Sequence, residues 1–303
     1  PDAHLRIQSL GGKTCRHPNM TTRDAVIETF LANTEWETAQ HFDLAGDASA
    51  RRYKRLELPN GNTAVLMDAP VEGGNGTEQF ANMAVYLTAK GLSAPKIYLQ
   101  VHSQGLLLLE DLGDDLFARV IPNNPGTEVS LYTAAANVLT VLHQHTPPSG
   151  LRQMDAATLA EMIEPLFSWY VAGADRPWQQ AWETFHNAIA PILKDRLGTP
   201  DVLVLRDYHA ENLLWLPDRD GVGKVGLLDF QDALQGHKAY DLVSLLQDAR
   251  RDVPVDVERQ TKAHFVHNAG LDPQSFDVAY ALLGAQRNLR IVGVFARLCM
   301  HYG

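Results

Sequence analysis

The sequence predicts an α+β fold of two lobes, a small β-rich lobe followed by a larger helical lobe. Two observations lead to this prediction. Short strand-like runs fill the segment from Phe42 to Leu109, with one helical pattern among them. After Gly113, apolar residues recur at spacings of three and four, as they do in amphipathic helices. We therefore expect an N-lobe over 20–112 and a C-lobe over 113–303, preceded by a loosely ordered leader at 1–19.

The N-lobe elements follow from local patterns. A turn at 59–62, with the sequence Pro-Asn-Gly-Asn, separates two short runs that have strand character. A glycine-rich loop at 73–76 comes before the helical spacing. The expected elements in chain order are a helix after Thr22, strands at 51–58 and 63–67, a helix at 80–87, and strands at 97–101 and 106–109.

The C-lobe elements are mainly helices, interrupted once by strands. The interruption begins at Gly198-Thr199-Pro200, where the helical pattern breaks. A turn at 218–221 then joins two apolar runs into a predicted hairpin. The expected elements are helices at 131–142, 159–170 and 178–197, strands at 202–205, 212–216 and 225–228, and helices from there to the end.

Composition indicates an ordinary globular protein and excludes several function classes. Of 303 residues, 45% are hydrophobic and 20% are charged. The formal net charge of -10 argues against nonspecific nucleic-acid binding. No apolar run approaches the roughly 20 residues that cross a bilayer, and no signal-peptide core is present. The two cysteines, Cys15 and Cys299, fit a reducing compartment. We expect a cytoplasmic protein without membrane or nucleic-acid partners; its oligomeric state is left open, and a monomer is compatible with the sequence.

One constellation of residues points to phosphoryl transfer. Asp207 and Asn212 are five positions apart, and Asp229 follows across the predicted hairpin. Phosphoryl transfer needs a carboxylate that orients the attacking hydroxyl and accepts its proton. It also needs an amide oxygen and a second carboxylate that hold the Mg²⁺ bridging the nucleotide phosphates. The hairpin brings these three side chains to one end, so we predict Asp207 as the base and Asn212 and Asp229 as metal ligands.

This segment resembles the catalytic and metal-binding loops of the protein-kinase-like superfamily, with Leu205-Arg206-Asp207 and Asp229-Phe230-Gln231 at the corresponding places. It is more similar to the aminoglycoside-phosphotransferase family. Within that family the closest resemblance is to bacterial kinases that phosphorylate N-acetylmuramate and N-acetylglucosamine at the anomeric position. The stretches that resemble those kinases include 46–53, 66–70, 107–113, 228–233 and Gln286-Arg287.

The resemblance implies a protein-kinase-like fold, ATP and Mg²⁺ as cofactors, and a division of labour between the lobes. The N-lobe would cover the nucleotide, and the C-lobe would carry catalysis and acceptor binding. Gly46, Ser49 and Arg52 would lie over the phosphates, while the hinge after the last N-lobe strand would pair with adenine through Glu110 and Leu112. Met20 is a candidate natural start, and relatives of this kind usually continue beyond the position of Gly303.

The sequence departs from the kinase pattern at the strand 63–68. A lysine that contacts the phosphates is expected there, but Met67 and Asp68 stand at the end of the strand. The candidates to replace it are Arg52, Lys54 or Arg55 of the neighbouring strand, together with backbone N–H groups near Gly46 to Ser49. In an extended strand Arg52 and Lys54 share one face, and Arg51, Tyr53 and Arg55 share the other.

The acceptor is predicted to be a small molecule. Only residues 230–240 separate Asp229 from the next helix, which is too short for the platform that binds a peptide in protein kinases. The resemblance favours an amino sugar. Aminoglycoside, choline or homoserine phosphorylation is the alternative within the enzyme class. The missing lysine motivates another alternative, an inactive nucleotide-binding scaffold.

Several residues near the constellation have open roles. Asp241 is expected to cap a helix or to support the catalytic loop. His209 is expected to be an exposed spacer in that loop, and His143 and His145 are expected to contribute charge at a helix end. The last helix carries three arginines that either form a solvated face or approach the acceptor, where they would favour an anionic group. These arginines are Arg287, Arg290 and Arg297.

Overall fold

The computed structural model describes residues 22–44, 51–69 and 76–302. Within them a small lobe built on one antiparallel sheet precedes a larger, mostly helical lobe. The predicted two-lobed α+β fold is therefore confirmed. The predicted leader at 1–19 lies outside the described residues, as do Gly46 and Ser49.

The first lobe contains a five-stranded sheet in the order β1-β2-β3-β5-β4, with antiparallel neighbours throughout. The turn between β2 and β3 places Gly61 at a φ of 85°, which suits glycine. Its elements are α1 (Thr22–Leu31), β1 (Gln40–Leu44), β2 (Arg52–Glu57), β3 (Thr63–Asp68), α2 (Thr77–Ala89), β4 (Ile97–Val101) and β5 (Leu106–Glu110).

The two faces of this sheet belong to different cores. On the outer face α1 and Trp36 pack against Leu66 of β3 and its neighbours, and every member of this cluster belongs to the first lobe. On the inner face Met67 and α2 join a larger cluster that continues into the second lobe through Phe230. Strand residues alternate between the faces, so the direction of a side chain decides whether it lies near the second lobe.

The second lobe is helical apart from two pairs of short strands. β7 pairs with β8 as the predicted hairpin, while β6 pairs with β9, a strand that we did not predict. The elements are α3 (Phe117–Asn123), α4 (Glu128–Leu142), α5 (Ala156–Glu161), a π-helical turn (Leu166–Val171), α6 (Gln179–Leu197), β6 (Val202–Val204), β7 (Leu213–Trp215), β8 (Val225–Leu227), β9 (Leu234–Gly236), α7 (Tyr240–Leu246), α8 (Val255–Asn268) and α9 (Pro273–Tyr302).

The helix predicted at 159–170 is wrong as a single element. The chain breaks near Pro165 into α5 and the π-helical turn. The long α9 packs directly against this break, because a Cβ on Gly293 would lie only 2.2 Å from the backbone nitrogen of Leu166. Proline removes a helical donor, and the contact with α9 fixes the resulting geometry.

Two observations relate to the predictions about membrane spans and cysteines. None of the helices in the described residues has the length and apolar character needed to cross a bilayer. Cys299 is a free, exposed thiol on α9.

Candidate active site

The loop that carries Asp207 leaves β6 and turns at Arg206, whose φ of 73° lies in the left-handed region. A non-glycine residue adopts this conformation at a cost unless its surroundings hold it. Here Asp241 of α7 holds it, because its Oδ2 accepts the Leu205 N–H at 2.7 Å and its Oδ1 accepts the Arg206 N–H at 2.9 Å. The two hydrogen bonds fix the backbone immediately before the half-buried Asp207.

Asp241 therefore supports the catalytic loop, one of the two roles left open. It is not the helix cap, since α7 begins at Tyr240 and the capping position is Ala239. Burial raises the pKa of Asp241 to about 7, and the N–H groups of Leu205 and Arg206 act in the opposite direction by stabilising the carboxylate.

Asn212 joins the two functional loops. Its Nδ2 donates to the Asp207 carbonyl oxygen at 2.9 Å and lies 3.5 Å from Oδ2 of Asp229. Its own carbonyl accepts the Leu228 N–H at 3.0 Å, which ties the catalytic loop to the end of β8. Because the amide nitrogen is used in these contacts, the amide oxygen is left available as a ligand.

Asp229 stands in a strained turn directly after β8. Its φ of 55° is left-handed, a conformation that aspartate tolerates better than most residues. Gln231 Nε2 donates to its Oδ1 at 2.6 Å. The next residue, Phe230, is fully buried and its ring centroid lies 4.9 Å from that of Phe80 on α2. The turn is thus anchored against the first lobe.

The structure brings the predicted Asp207, Asn212 and Asp229 together. The carboxylate of Asp229 and the amide oxygen of Asn212 are hard oxygen donors of the kind that Mg²⁺ prefers. In the described part of the chain there is no group of three His, Cys, Asp or Glu side chains that could enclose a metal ion. The pair therefore fits a Mg²⁺ that takes its remaining ligands from water and substrate phosphates.

The hinge residue Glu110 is held in place by hydrogen bonds, and the backbone N–H of Leu112 is left available. Glu110 Oε1 accepts a hydrogen bond from Arg219 Nη2 at 2.7 Å. The backbone N–H of Glu110 donates to the Lys96 carbonyl at 2.8 Å. The backbone N–H of Leu112 makes no hydrogen bond to any other described residue. A planar base at this point would find a donor in Leu112.

Arg55 of β2 strengthens the same hinge. Its Nε donates to Asp111 at 2.6 Å and its Nη1 to Asp114 at 2.7 Å. The guanidinium lowers the pKa of Asp114 through this hydrogen bond. Arg55 is thus engaged with the hinge carboxylates.

Arg52 lies on the outer face of the sheet, away from the two functional loops. Its Nη2 donates to Oδ2 of Asp68 at 2.8 Å, and the Nε of Arg23 on α1 donates to Oδ1 of the same carboxylate at 2.9 Å. Asp68 is buried and ties α1 to the sheet. By alternation Arg51, which is 5% exposed, shares the inner face with Tyr53, which packs against the core that includes Phe230.

Three buried polar residues, His209, Asp248 and Arg287, lie behind the catalytic loop, and the sequence predicted their positions only in part. The expectation that His209 is exposed is wrong, because the residue is 2% exposed and burial lowers its pKa to about 4. Arg287 of α9 is 4% exposed and interacts electrostatically with Asp207 and Asp248. Of the arginines left open, Arg287 lies near the site, whereas Arg297 is exposed. Asp248 has no local sequence signal, since it follows α7 in a loop.

Comparison with known proteins identifies the family. The model of the phosphotransferase enzyme family matches residues 43–276. The chain is 35% identical to the N-acetylmuramate/N-acetylglucosamine kinase of Caulobacter vibrioides, over 93% of this chain and 87% of that protein. It is 31% identical to the kinase of the same name from Neisseria meningitidis, over 85% of this chain and 79% of that protein.

Solved structures share the fold at low identity. An ADP-bound aminoglycoside phosphotransferase superposes with a TM-score of 0.65 at 12% identity, covering 90% of each chain. A choline kinase from Streptococcus pneumoniae gives 0.60 at 14% identity, covering 91% of this chain and 92% of that one. The match to the family model over most of the chain and the identity to named kinases show that this chain belongs to the phosphotransferase enzyme family and is a kinase.

Proposed function

We propose that this kinase transfers the γ-phosphoryl group of ATP, with Mg²⁺, to the anomeric hydroxyl of N-acetylmuramate or N-acetylglucosamine. The observation that carries the proposal is the contact of Asn212 with both the Asp207 backbone and the Asp229 carboxylate. The relatives named for these two sugars support the choice of acceptor. The short segment 230–240 supports a small acceptor over a peptide.

Asp207 is the proposed base. Its carboxylate would accept the proton of the acceptor hydroxyl as that oxygen bonds to the γ-phosphorus and the bond to the β–γ bridging oxygen breaks. The loop geometry serves this role, because Asp241 fixes the backbone on one side of Asp207 and Asn212 binds its carbonyl on the other. A base held in this way needs little reorganisation during the reaction.

Asn212 and Asp229 are the proposed ligands of the metal. When bound, Mg²⁺ neutralises charge on the nucleotide phosphates and orients the γ-phosphoryl group. Asp229 contributes a carboxylate oriented by Gln231, and Asn212 contributes its amide oxygen.

Adenine would be bound at the hinge, through the backbone of Glu110 and Leu112. The phosphates would lie under Gly46 to Ser49, with the first lobe over 20–112 as the cover and 113–303 as the catalytic and acceptor-binding lobe. Arg52 was the predicted phosphate contact, but its pairing with Asp68 on the outer face favours Arg51 for this role. We place the reaction in the cytoplasm, with a small-molecule acceptor and no nucleic-acid or membrane partner.

The test is phosphorylation of an acceptor panel by the wild type and Asp207→Asn. We expect a sugar 1-phosphate from N-acetylmuramate or N-acetylglucosamine, and a kcat about 10³-fold lower in the variant. Turnover confined to aminoglycosides, choline or homoserine would contradict the acceptor. Unchanged turnover in Asp207→Asn would contradict the base, and no turnover with any acceptor would favour a nucleotide-binding scaffold.

A further inference from the structure

Four buried polar atoms lie behind the catalytic loop without a hydrogen-bond partner among the described residues. They belong to one residue of the loop, one of α7, one of the segment after α7 and one of α9. They are His209 Nδ1, Tyr240 Oη, Asp248 Oδ2 and Arg287 Nη1. Buried polar groups are nearly always paired, so four unpaired atoms in one neighbourhood require an explanation.

These residues form one cluster around Asp207. Arg287 of α9 donates a hydrogen bond to Ser244 of α7. Burial lowers the pKa of Arg287, and the carboxylates of Asp207 and Asp248 act in the opposite direction. His209 lies in the same loop as Asp207, two residues further along, and Asp241, the neighbour of Tyr240 on α7, holds the start of that loop through two hydrogen bonds. The cluster is therefore assembled from three stretches of the chain, namely the loop with His209, α7 with the segment directly after it, and α9, on the C-lobe side of the proposed base.

Three members are fixed by contacts that leave one polar atom unused. Arg287 Nη2 donates to Ser244 Oγ at 2.8 Å, which leaves Nη1 unpaired. Asp248 Oδ1 accepts the Arg250 N–H at 3.0 Å, which leaves Oδ2 unpaired. His209 Nε2 faces the Asn212 amide nitrogen at 3.4 Å, an arrangement that assigns the ring proton to Nδ1.

We propose that His209, Tyr240, Asp248 and Arg287 form the acceptor subsite, and that its ligand is a polyhydroxy compound bearing a carbonyl or carboxylate oxygen. This inference rests on the proposed function and names the groups that recognise the acceptor. The N–H groups of Arg287 and His209 donate to the carbonyl or carboxylate oxygen. Asp248 accepts a ring hydroxyl, and the Tyr240 hydroxyl either donates or accepts.

The same cluster selects against an acceptor with a free ammonium group at this point. An ammonium group only donates hydrogen bonds, so it pairs with Asp248 and Tyr240 and leaves Arg287 and His209 unpaired. A site built to bind a particular oxygen discriminates strongly against an analogue that lacks it, because its own buried donors then stay unsatisfied. An N-acyl sugar is therefore preferred over the corresponding amino sugar.

Entry of the acceptor requires a local movement. All four atoms are shielded from solvent. Asp248 lies in the segment 247–254 that connects α7 to α8, and its neighbour Arg250 is exposed. Displacement of this connection opens the cluster, and the acceptor then supplies the missing hydrogen bonds.

The experiment is calorimetric binding of N-acetylglucosamine and of glucosamine, with Mg²⁺ and a non-hydrolysable ATP analogue present. The variants are Tyr240→Phe and Asp248→Asn, which preserve shape, and Arg287→Lys, which preserves charge. Arg297→Met on the exposed part of α9 is the matched control. We expect the wild type to bind N-acetylglucosamine at least about tenfold more tightly than glucosamine.

Each of the three variants is expected to weaken N-acetylglucosamine binding by about tenfold or more, while Arg297→Met leaves it unchanged. Tyr240→Phe is the sharpest variant, because it removes a hydroxyl without a partner and so leaves the Tm unchanged or higher. Unchanged binding in Tyr240→Phe and Asp248→Asn would overturn the proposal, as would equal binding of the two sugars by the wild type.

Turnover measured on the same proteins separates this inference from the proposed function. Binding that is weakened by the variants, without phosphoryl transfer in the wild type, would support the subsite and contradict the kinase reaction. Transfer to N-acetylglucosamine with binding unaffected by the variants would support the reaction and overturn the subsite. A wild type that does not bind the sugar would contradict both.

Discussion

At the scale of single residues, the left-handed turn at Asp229 sets a constraint that a test of the metal site must respect. Asparagine tolerates this conformation and keeps one oxygen, whereas alanine adds backbone strain. We predict that Asp229→Asn loses most of the Mg²⁺-dependent stabilisation by ATP while keeping a Tm close to that of the wild type without ligand. The measurement is a thermal-shift titration with ATP at fixed Mg²⁺.

The matched control for that titration is Asp232→Asn, three positions further along. Asp232 is exposed, and its contact with the described residues is through its backbone carbonyl, which accepts from Arg206 Nη1 at 3.4 Å. We expect this variant to keep the full Mg·ATP stabilisation. Equal stabilisation in Asp229→Asn and Asp232→Asn would remove Asp229 from the metal site.

Arg51 and Arg52 are neighbours in sequence, and their side chains lie on opposite faces of the sheet. Substituting each of them tests which one contacts the phosphates. Arg51→Met should raise the KM for Mg·ATP by about tenfold, because it removes the cation proposed to contact the phosphates. Arg52→Met should leave that KM nearly unchanged. It should lower the free energy of unfolding by at most about 1 kcal/mol, since its guanidinium is largely exposed and Asp68 keeps Arg23.

The two arginine variants are compared by steady-state kinetics and urea unfolding on the same preparations. A larger effect of Arg52→Met than of Arg51→Met on the KM for Mg·ATP would restore the prediction made from the sequence.

At the scale of elements, α7 positions the catalytic loop through one side chain. Asp241→Asn replaces an accepting oxygen with a donor that opposes a backbone N–H. We expect a loss of about 1–3 kcal/mol in the free energy of unfolding. The kcat should fall by at least about tenfold, with a small change in the KM for Mg·ATP, because the hinge is not affected.

Asp256→Asn in the first turn of α8 is the control for Asp241→Asn, since its side chain is exposed. It should change neither the kcat nor the stability appreciably. If Asp241→Asn lowered stability but left kcat intact, the contact would hold the fold together without positioning Asp207.

The end of α4 makes stability depend on pH. His143 was expected to carry charge there, but burial lowers its pKa to about 3, with the ring edge-on to Phe265. The folded pKa is below the unfolded value of about 6.5, so its contribution is complete above pH 6.5 and is lost as pH falls towards 3. We therefore expect a loss of about 2 kcal/mol in the free energy of unfolding at pH 5.

His143→Leu should remove this part of the pH dependence. The measurement is urea unfolding of the wild type and the variant at pH 7.5 and pH 5, where the wild type should lose about 2 kcal/mol more than the variant. An equal loss in the two proteins would show that His143 titrates as an exposed residue.

Elements with a local cause could be predicted from the sequence. β3 follows from its apolar run after a turn with a glycine at positive φ, and the hairpin of β7 and β8 follows from the turn between them. β9 could not be predicted, because three residues become a strand only through pairing with β6. The break at Pro165 likewise depends on the close approach of Gly293 from α9.

The candidate site divides in the same way. The spacing of Asp207, Asn212 and Asp229 is local enough to be recognised in the sequence. The pairing of Asp68 with Arg23, 45 positions away, is not. The alternation of side chains along a strand places Arg52 and Arg51 on opposite faces of the sheet. Which of these faces lies towards the second lobe could be determined only from the packing of α1 on the other face.

At the scale of the whole molecule, the first lobe contributes to two hydrophobic cores, one of which continues into the second lobe. We predict that truncating a phenylalanine in either core lowers stability equally, but that only one of the two changes affects the KM. Phe80→Ala and Phe30→Ala should each cost about 3–5 kcal/mol, since both rings are buried. Of the two, it is Phe80 that contacts Phe230, the residue after the proposed metal ligand Asp229, so Phe80→Ala alone should also raise the KM for Mg·ATP, by several fold. Urea unfolding and steady-state kinetics measure the two effects. Equal KM values in the two variants would mean that the lobes are not coupled through this contact.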